Sequence, residues 1–217
     1  MNIEQARFNM IEQQIRPWDV LDPAVLSLLA MVRREDFVPA AYRALAFVDC
    51  EIPIGDDQVM LAPRVEARLL QEARVHRHEN VLEIGAGSGF MAALLSHRAR
   101  SVVSLEIRPA LAKMATDNLR RAAISNATVR QADGVGGLPG EAPFDVIVLS
   151  GSVAAVPQAL LDQLKPGGRL LAVVGGEPVM RAMRVNCLGP RSFASDTLFD
   201  TVVPRLDGFG EAGAFHF

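Results

Sequence analysis

The sequence predicts an α/β fold, with a doubly wound, mostly parallel sheet and a helical cap on its N-terminal side. Three observations carry this. From Asn80 onward, short apolar runs alternate with helical patterns, the signature of a parallel sheet covered by helices. Before Ala73 the periodicity is helical. Between the two lies Val81-Leu82-Glu83-Ile84-Gly85-Ala86-Gly87-Ser88-Gly89, where an apolar run leads into three alternating glycines and then a helical segment. Glycines there remove the Cβ atoms that would block a ligand, so the backbone can approach one closely at a helix N-terminus.

Residues 1–74 read as the cap and 75–217 as the α/β domain. Residues 4–15 put Phe8, Ile11 and Ile15 on one helical face, with Met10 and Gln14 elsewhere, and Pro17 stops the helix. Asp22 is a good N-cap for a second helix with Pro23 in its first turn and an apolar face of Val25, Leu26, Leu28, Leu29 and Val32. Residues 49–63 read as irregular, with Pro53, Gly55, Asp56, Asp57 and Pro63, and Arg64 to Ala73 as a helix. Strands are expected at 80–84, 101–105, 127–131, 144–149 and 169–174, with helices at 89–97, 109–123 and 156–164 between them. Val146-Ile147-Val148-Leu149 is apolar throughout, as a strand buried on both faces is. After Gly176 the pattern weakens; 183–188 and 192–203 read as further strands, and 212–217 as a last one.

Composition narrows the function. Half of the residues are apolar, and a net charge of −3 gives no electrostatic case for nucleic acid. Two cysteines, Cys50 and Cys187, make no disulfide framework, and the four histidines show no metal spacing. Met1 to Gln14 is polar rather than a secretion signal, and no run approaches the roughly 20 apolar residues of a membrane span. The expectation is a cytoplasmic protein without metal or membrane partner, a monomer with a dimer as the alternative.

The chemistry sits at strand ends. Gly87-Ser88-Gly89-Phe90-Met91-Ala92 satisfies a relaxed dinucleotide fingerprint by itself. Glu106 ends the second strand, 17 positions after Gly89, where a carboxylate can accept both hydroxyls of a ribose; its bland reading is a capping or solvated acid. Asp133 ends the third, in reach of an adenine amino group, or is a turn residue before Gly134. Gly85, Glu106 and Asp133 are expected on one edge of the sheet. Glu83 distinguishes cofactors: an acid two residues before the first glycine suits the cationic S-adenosylmethionine better than a nicotinamide, or it is a structural acid bonded to loop amides.

Val81 to Gly89, Glu106, Asp133-Gly134 and Pro143-Phe144-Asp145 resemble the successive motifs of class I S-adenosylmethionine-dependent methyltransferases. Met10 to Ile15, Arg34 to Pro39, Ile52 to Gly55, Gln58, Pro63, Ala142 to Asp145 and Gln163 to Leu170 further resemble protein-L-isoaspartate O-methyltransferases, over about residues 8 to 175. The resemblance implies a Rossmann-like fold and an S-adenosylmethionine site at Glu83, Gly85, Gly87, Ser88, Gly89, Glu106, Ile107, Asp133 and Gly134. It also implies an isoaspartyl protein or peptide as substrate, and an acceptor loop with Gln58, Val59 and Leu61 at the catalytic positions. That loop departs from the family pattern. The family reads Gly-Gln-Thr-Ile-Ser, and this chain reads Asp57-Gln58-Val59-Met60-Leu61, so Thr becomes Val59 and the active-site Ser becomes Leu61. Leucine cannot donate a hydrogen bond to a carboxylate; Gln58 and Arg64 are the nearby polar candidates.

Methyl transfer to a carboxylate needs alignment more than acid or base help, because the carboxylate is already ionised at pH 7. The substitutions therefore leave three readings of the fold: isoaspartyl methyl transfer, transfer to another acceptor, or cofactor binding without catalysis. A nicotinamide oxidoreductase is weaker, since no Tyr-x-x-x-Lys pair or catalytic histidine arrangement follows the loop and the single Tyr42 precedes it.

Overall fold

A computed structural model describes residues 2–210. The chain runs α1 (Ile3–Met10), α2 (Pro23–Met31), the hairpin β1 (Ile52–Gly55) and β2 (Gln58–Met60), and α3 (Pro63–Ala73). It continues with β3 (Asn80–Ile84), α4 (Phe90–Ser96), β4 (Ser101–Glu106), α5 (Pro109–Arg121), β5 (Ala127–Gln131) and β6 (Phe144–Val153). Last come α6 (Gln158–Leu161), β7 (Leu164–Gly176), β8 (Val179–Gly189) and β9 (Ser192–Thr201).

The seven-stranded sheet has the order β5-β4-β3-β6-β7-β8-β9. Strands β3 to β7 pair in parallel, and β8 and β9 add an antiparallel meander. The chain enters at the central β3, winds outward through β4 and β5, then crosses back to β6. The order reverses between β3 and β6, and open α/β sheets bind ligands at such a switch point, beyond the carboxyl ends of the strands.

Alternate strand residues feed two cores, one on each face. Val81, Val102, Val146, Val148, Leu171 and Val173 pack with the cap, α3 and α4. Leu82, Ile84, Leu105, Ile147, Leu149 and Leu170 pack on the opposite face with Phe144, Leu160 and Phe209. Burial on both faces explains the unbroken apolar runs. Arg169 of β7 fastens the end of α3 to the sheet. It donates to the carbonyls of Ala73 (2.6 Å) and Arg74 (2.7 Å) and forks onto Glu79 (2.6 and 2.8 Å).

Several elements differ from the sequence expectation. Ile11 and Ile15 are buried as expected, but Phe8 is exposed, and Arg7 and Met10 are buried in its place. The turn Ile11–Ile15 is π-helical, which shifts the phase of the face, and Arg7 is drawn in by an ion pair of 2.5 Å to the buried Glu35. The stretch expected to be irregular contains the β1–β2 hairpin, whose turn puts Gly55, Asp56 and Asp57 at φ of 104°, 52° and 55°. Asp tolerates the left-handed region better than most side chains, so Asp57 can stand where the family pattern has Gly. Helix α6 is only one turn long, because Leu164 already pairs with Phe144 in the sheet. Strand β6 runs on to Val153 through a register shift, past the polar Ser150-Gly151 where the apolar run ends. The strand expected at 212–217 lies outside the described residues.

The second helix begins as expected. The Asp22 carboxylate accepts from the Ala24 amide at 2.8 Å, and Pro23 occupies the first turn. Asp22→Ala should cost about 1 kcal/mol. In thermal melts that is a fall of about 2–4 °C in Tm for a chain of this size.

Candidate active site

The carboxyl ends of β3, β4 and β5 bring Gly85, Glu106 and Asp133 to one edge of the sheet. The glycine turn leaves β3 there and is held from outside. Leu105 O accepts the amides of Gly85 (2.8 Å) and Ala86 (3.2 Å), and Glu106 Oε2 accepts that of Gly87 (2.9 Å). Glu106 Oε1 takes the Arg108 amide at 3.0 Å. Each carboxylate oxygen thus spends one lone pair on the backbone and keeps acceptor capacity for a ligand.

A crevice opens over this turn. Gly85, Gly87, Glu106, Ile107, Gly134 and Ser150 line its floor, and Ile54, Gln58 and Val59 of the hairpin line the facing wall. A side chain at Gly85, which has φ of 92°, would come within 2.7 Å of Leu206. At Gly134 a Cβ would strike the Ile84 side chain at 2.3 Å. Glycine is required at both.

A second, smaller cavity adjoins the first, sharing Val59, Gly85, Gly87 and Ser150 with it. Met60, Leu61, Phe90 and Met91 give it an apolar wall, and Glu66, Glu83 and Ser88 add polar groups. Glu83 is fully buried and accepts from the hydroxyls of Ser104 (2.6 Å) and Ser150 (2.8 Å). Burial pushes its carboxyl up to about 8, against the pull of those two hydrogen bonds. Burial likewise raises the Glu66 carboxyl, opposed by Arg34 beside it.

The structure gathers Gln58, Val59, Leu61, Glu83, Gly85, Gly87, Ser88, Glu106, Ile107 and Gly134 around these two spaces. Three candidate residues are not among those lining either space. Gly89 caps α4 at φ 84°, and a Cβ there would meet the Ala115 backbone at 3.1 Å, so its glycine serves the packing of α4 on α5. Asp133 is exposed and its Oδ1 accepts the Val135 amide at 3.0 Å, the turn geometry weighed above, while its neighbours Ala132 and Gly134 line the crevice. Arg64 pairs with Asp49 at 2.6 Å and lies over the Trp18 ring at 4.3 Å, away from both cavities.

The sequence reading missed the far wall. After β9 the chain returns to the crevice: Ser152 exchanges hydrogen bonds with Pro204 O (2.8 Å) and the Leu206 amide (2.9 Å), and Asp207 pairs with Arg108 at 2.7 Å. Leu206, Asp207 and Phe209 complete the lining. Within Val202 to Gly210 no periodic pattern marks this return; Pro204 after a strand was the one available signal.

The model of the protein-L-isoaspartate(D-aspartate) O-methyltransferase family matches residues 5–198. The chain belongs to that family. Its members are S-adenosylmethionine-dependent O-methyltransferases, and the class I methyltransferase fold is the one seen here. A protein-L-isoaspartate O-methyltransferase of Methylorubrum populi is 38% identical over 212 residues, which cover 97% of this chain and 99% of the relative. "Protein-L-isoaspartate O-methyltransferase 2" of Syntrophobacter fumaroxidans is 45% identical over 156 residues, 72% of this chain; the match spans 63% of that longer relative. Among solved structures, a Plasmodium falciparum protein of this type, in complex with S-adenosyl-L-homocysteine, superimposes with a TM-score of 0.75 at 18% identity. That match covers 95% of this chain and 99% of the other, and at this identity it speaks for the fold. No described helix is long and apolar enough to cross a membrane.

Glu83 makes stability depend on pH. In the unfolded chain its carboxyl ionises near the ordinary value of 4.5, and in the folded chain near 8. Between these values only the folded state holds the proton, so its stabilising contribution is complete below about 4.5 and is lost as pH rises through 8. Denaturant titrations of the cofactor-free protein from pH 5 to pH 8.5 should show falling stability, and Glu83→Gln should flatten the profile.

Proposed function

We propose that this protein transfers the methyl group of S-adenosylmethionine to the free carboxylate of isoaspartyl residues in protein chains. The observation that carries the reading is the joining of a glycine-floored crevice to a second cavity under the 58–61 loop. The residues present fit the cofactor: side-chain-free turns at Gly85 and Gly87, a Glu106 carboxylate with spare lone pairs, and a buried acid at Glu83.

S-adenosylmethionine supplies a methyl group on a sulfonium, which a carboxylate oxygen can take while the carbon–sulfur pair stays on sulfur. The chain's task is to bind, orient and exclude water. Glu106 would accept the ribose hydroxyls, and Ile107 and Gly134 would flank the base, with Asp133 near its amino edge. Gly85, Gly87 and Ser88 would admit the cofactor to the turn, and Glu83 would face its cationic end. Gln58 and the main chain of Val59 to Leu61 would hold the acceptor. In this reading 1–74 is the acceptor half and 75–217 the cofactor half, acting as a monomer in the cytoplasm.

One observation favours a second reading, transfer to a less polar acceptor. Val59, Met60, Leu61, Phe90 and Met91 present no hydroxyl to the second cavity. An apolar wall discriminates weakly between acceptors, whereas a hydrogen-bonding one rejects wrong substrates strongly.

Labelled cofactor with an isoaspartyl peptide, and the aspartyl peptide as control, tests the reading. Wild type should methylate only the isoaspartyl form. Val59→Thr with Leu61→Ser should raise that rate by about fivefold per restored hydrogen bond of roughly 1 kcal/mol. Near-zero transfer by both proteins, with cofactor binding intact, would rule out isoaspartyl methylation. In calorimetry Glu106→Ala should weaken cofactor binding by about 1.5–3 kcal/mol, and unchanged affinity would remove Glu106 from the site.

A further inference from the structure

The hydroxyl-free loop raises the question of what fixes its position, and the geometry points to Arg34. We propose that Arg34 is the positioning residue of the acceptor loop, holding the main chain at Leu61 against the helix that follows the glycine turn. The assignment rests on the reading of 58–61 as the acceptor loop.

Arg34 lies in the short helical turn Arg34–Asp36, far from the loop in sequence, and is 1% exposed. Its planar guanidinium is used on every side. Nη2 donates to Leu61 O at 2.6 Å, Nε donates to Ala46 O at 3.1 Å, and Nη1 binds the Glu66 carboxylate of α3. The Phe90 ring, first in α4, lies 5.0 Å from its central carbon. Leu61 follows the last residue of β2, and among the described residues no loop or turn amide reaches its carbonyl. Arg34 thus ties the cap, the acceptor loop, α3 and the start of α4 to a single rigid plane.

Two points separate this from a generic buried ion pair. A buried pair is weak evidence for stability, since well-packed apolar side chains of similar size often serve as well. What such residues could not reproduce is the fork, which directs separate donors at two carbonyls and a carboxylate. The contact to Leu61 is also made to the main chain, so it is indifferent to the side chain there. Loss of the family's serine hydroxyl leaves this tie in place, with the loop still lining both cavities.

The test is Arg34→Lys, which keeps the charge and loses the fork. Amide hydrogen exchange over 52–62 should quicken at least tenfold, while the sheet peptides over 80–106 keep their wild-type rates. Affinity for S-adenosyl-L-homocysteine should stay within twofold. Per cofactor-binding site, kcat/KM for the isoaspartyl peptide should fall at least tenfold. Unchanged exchange over 52–62 overturns the proposal, as does an equal rise over 80–106 or a parallel loss of cofactor affinity. Should the lysine variant fail to fold, Arg34→Met with Glu66→Met replaces the pair by apolar side chains and must loosen the same segment alone. The exchange and affinity measurements stand even if wild type shows no isoaspartyl transfer, a result that would remove the functional reading and leave the positioning role to be judged on the loop.

Discussion

The glycine turn after β3 must reverse the chain while keeping its upper surface bare, and its three glycines offer no side chains to hold it in shape. Its stiffness is therefore borrowed from β4. Leu105 O and the Glu106 carboxylate take three successive amides, from Gly85, Ala86 and Gly87, and Asn118 of α5 binds the Ser88 carbonyl from the far side. Glu106 is part of the scaffold and part of the lining at once. Because its outward lone pairs are fixed by the amides it already binds, a ligand hydroxyl would meet an acceptor whose orientation cost has been met during folding.

The second constraint is electrostatic. Glu66 and Glu83 are buried within the same small region, and burial raises both carboxyls, but their partners differ. Glu66 has an arginine beside it, so its ionised form has a direct counter-charge. Glu83 has two hydroxyls, which lower the cost of a charge but supply none. An acid left in that state keeps its proton near neutrality, and a cation brought against it would draw the proton off. In the proposed reading, a positively charged ligand at this cavity would meet an acid that costs the protein little while it stays neutral.

What the sequence made legible was set by periodicity and by local chemistry. Strands such as Val81 to Ile84 and Val146 to Leu149 are apolar because both faces are covered, and that pattern survives without knowledge of partners. The Asp22 cap acts within two residues and was equally readable. The features that were missed depend on distant partners. Phe8 lost its place in the core to Arg7, whose burial needs Glu35, 28 residues on. Gly89 has the spacing of a ligand-binding glycine, yet its neighbour is the backbone of α5. Arg64 looked free beside the loop until Asp49 and Trp18 engaged it. The return of Pro204 to Phe209 across the crevice has no local signature, since its hydrogen bonds go to Ser152 on another strand.

If 58–61 is the acceptor loop, as proposed, it shows how a site can change its side chains and keep its backbone ties. Its turn needs positive φ at three residues in succession, and Asp57 meets that need in place of glycine at a cost of about 1–2 kcal/mol. Leu61, at 6% exposure, packs with the core beside the second cavity and gives up a hydroxyl. Neither change touches the β1–β2 ladder or the carbonyl that receives Arg34, because both are made by the main chain. Backbone-held loops separate two properties that a side-chain-held loop would join. In the proposed reading, placement beside the crevice is secured by Arg34 and the hairpin, and the choice of acceptor would be left to what residues 59 and 61 present. A carboxylate would find main-chain donors and an apolar wall in this chain, and its alignment would depend on the first more than on the second.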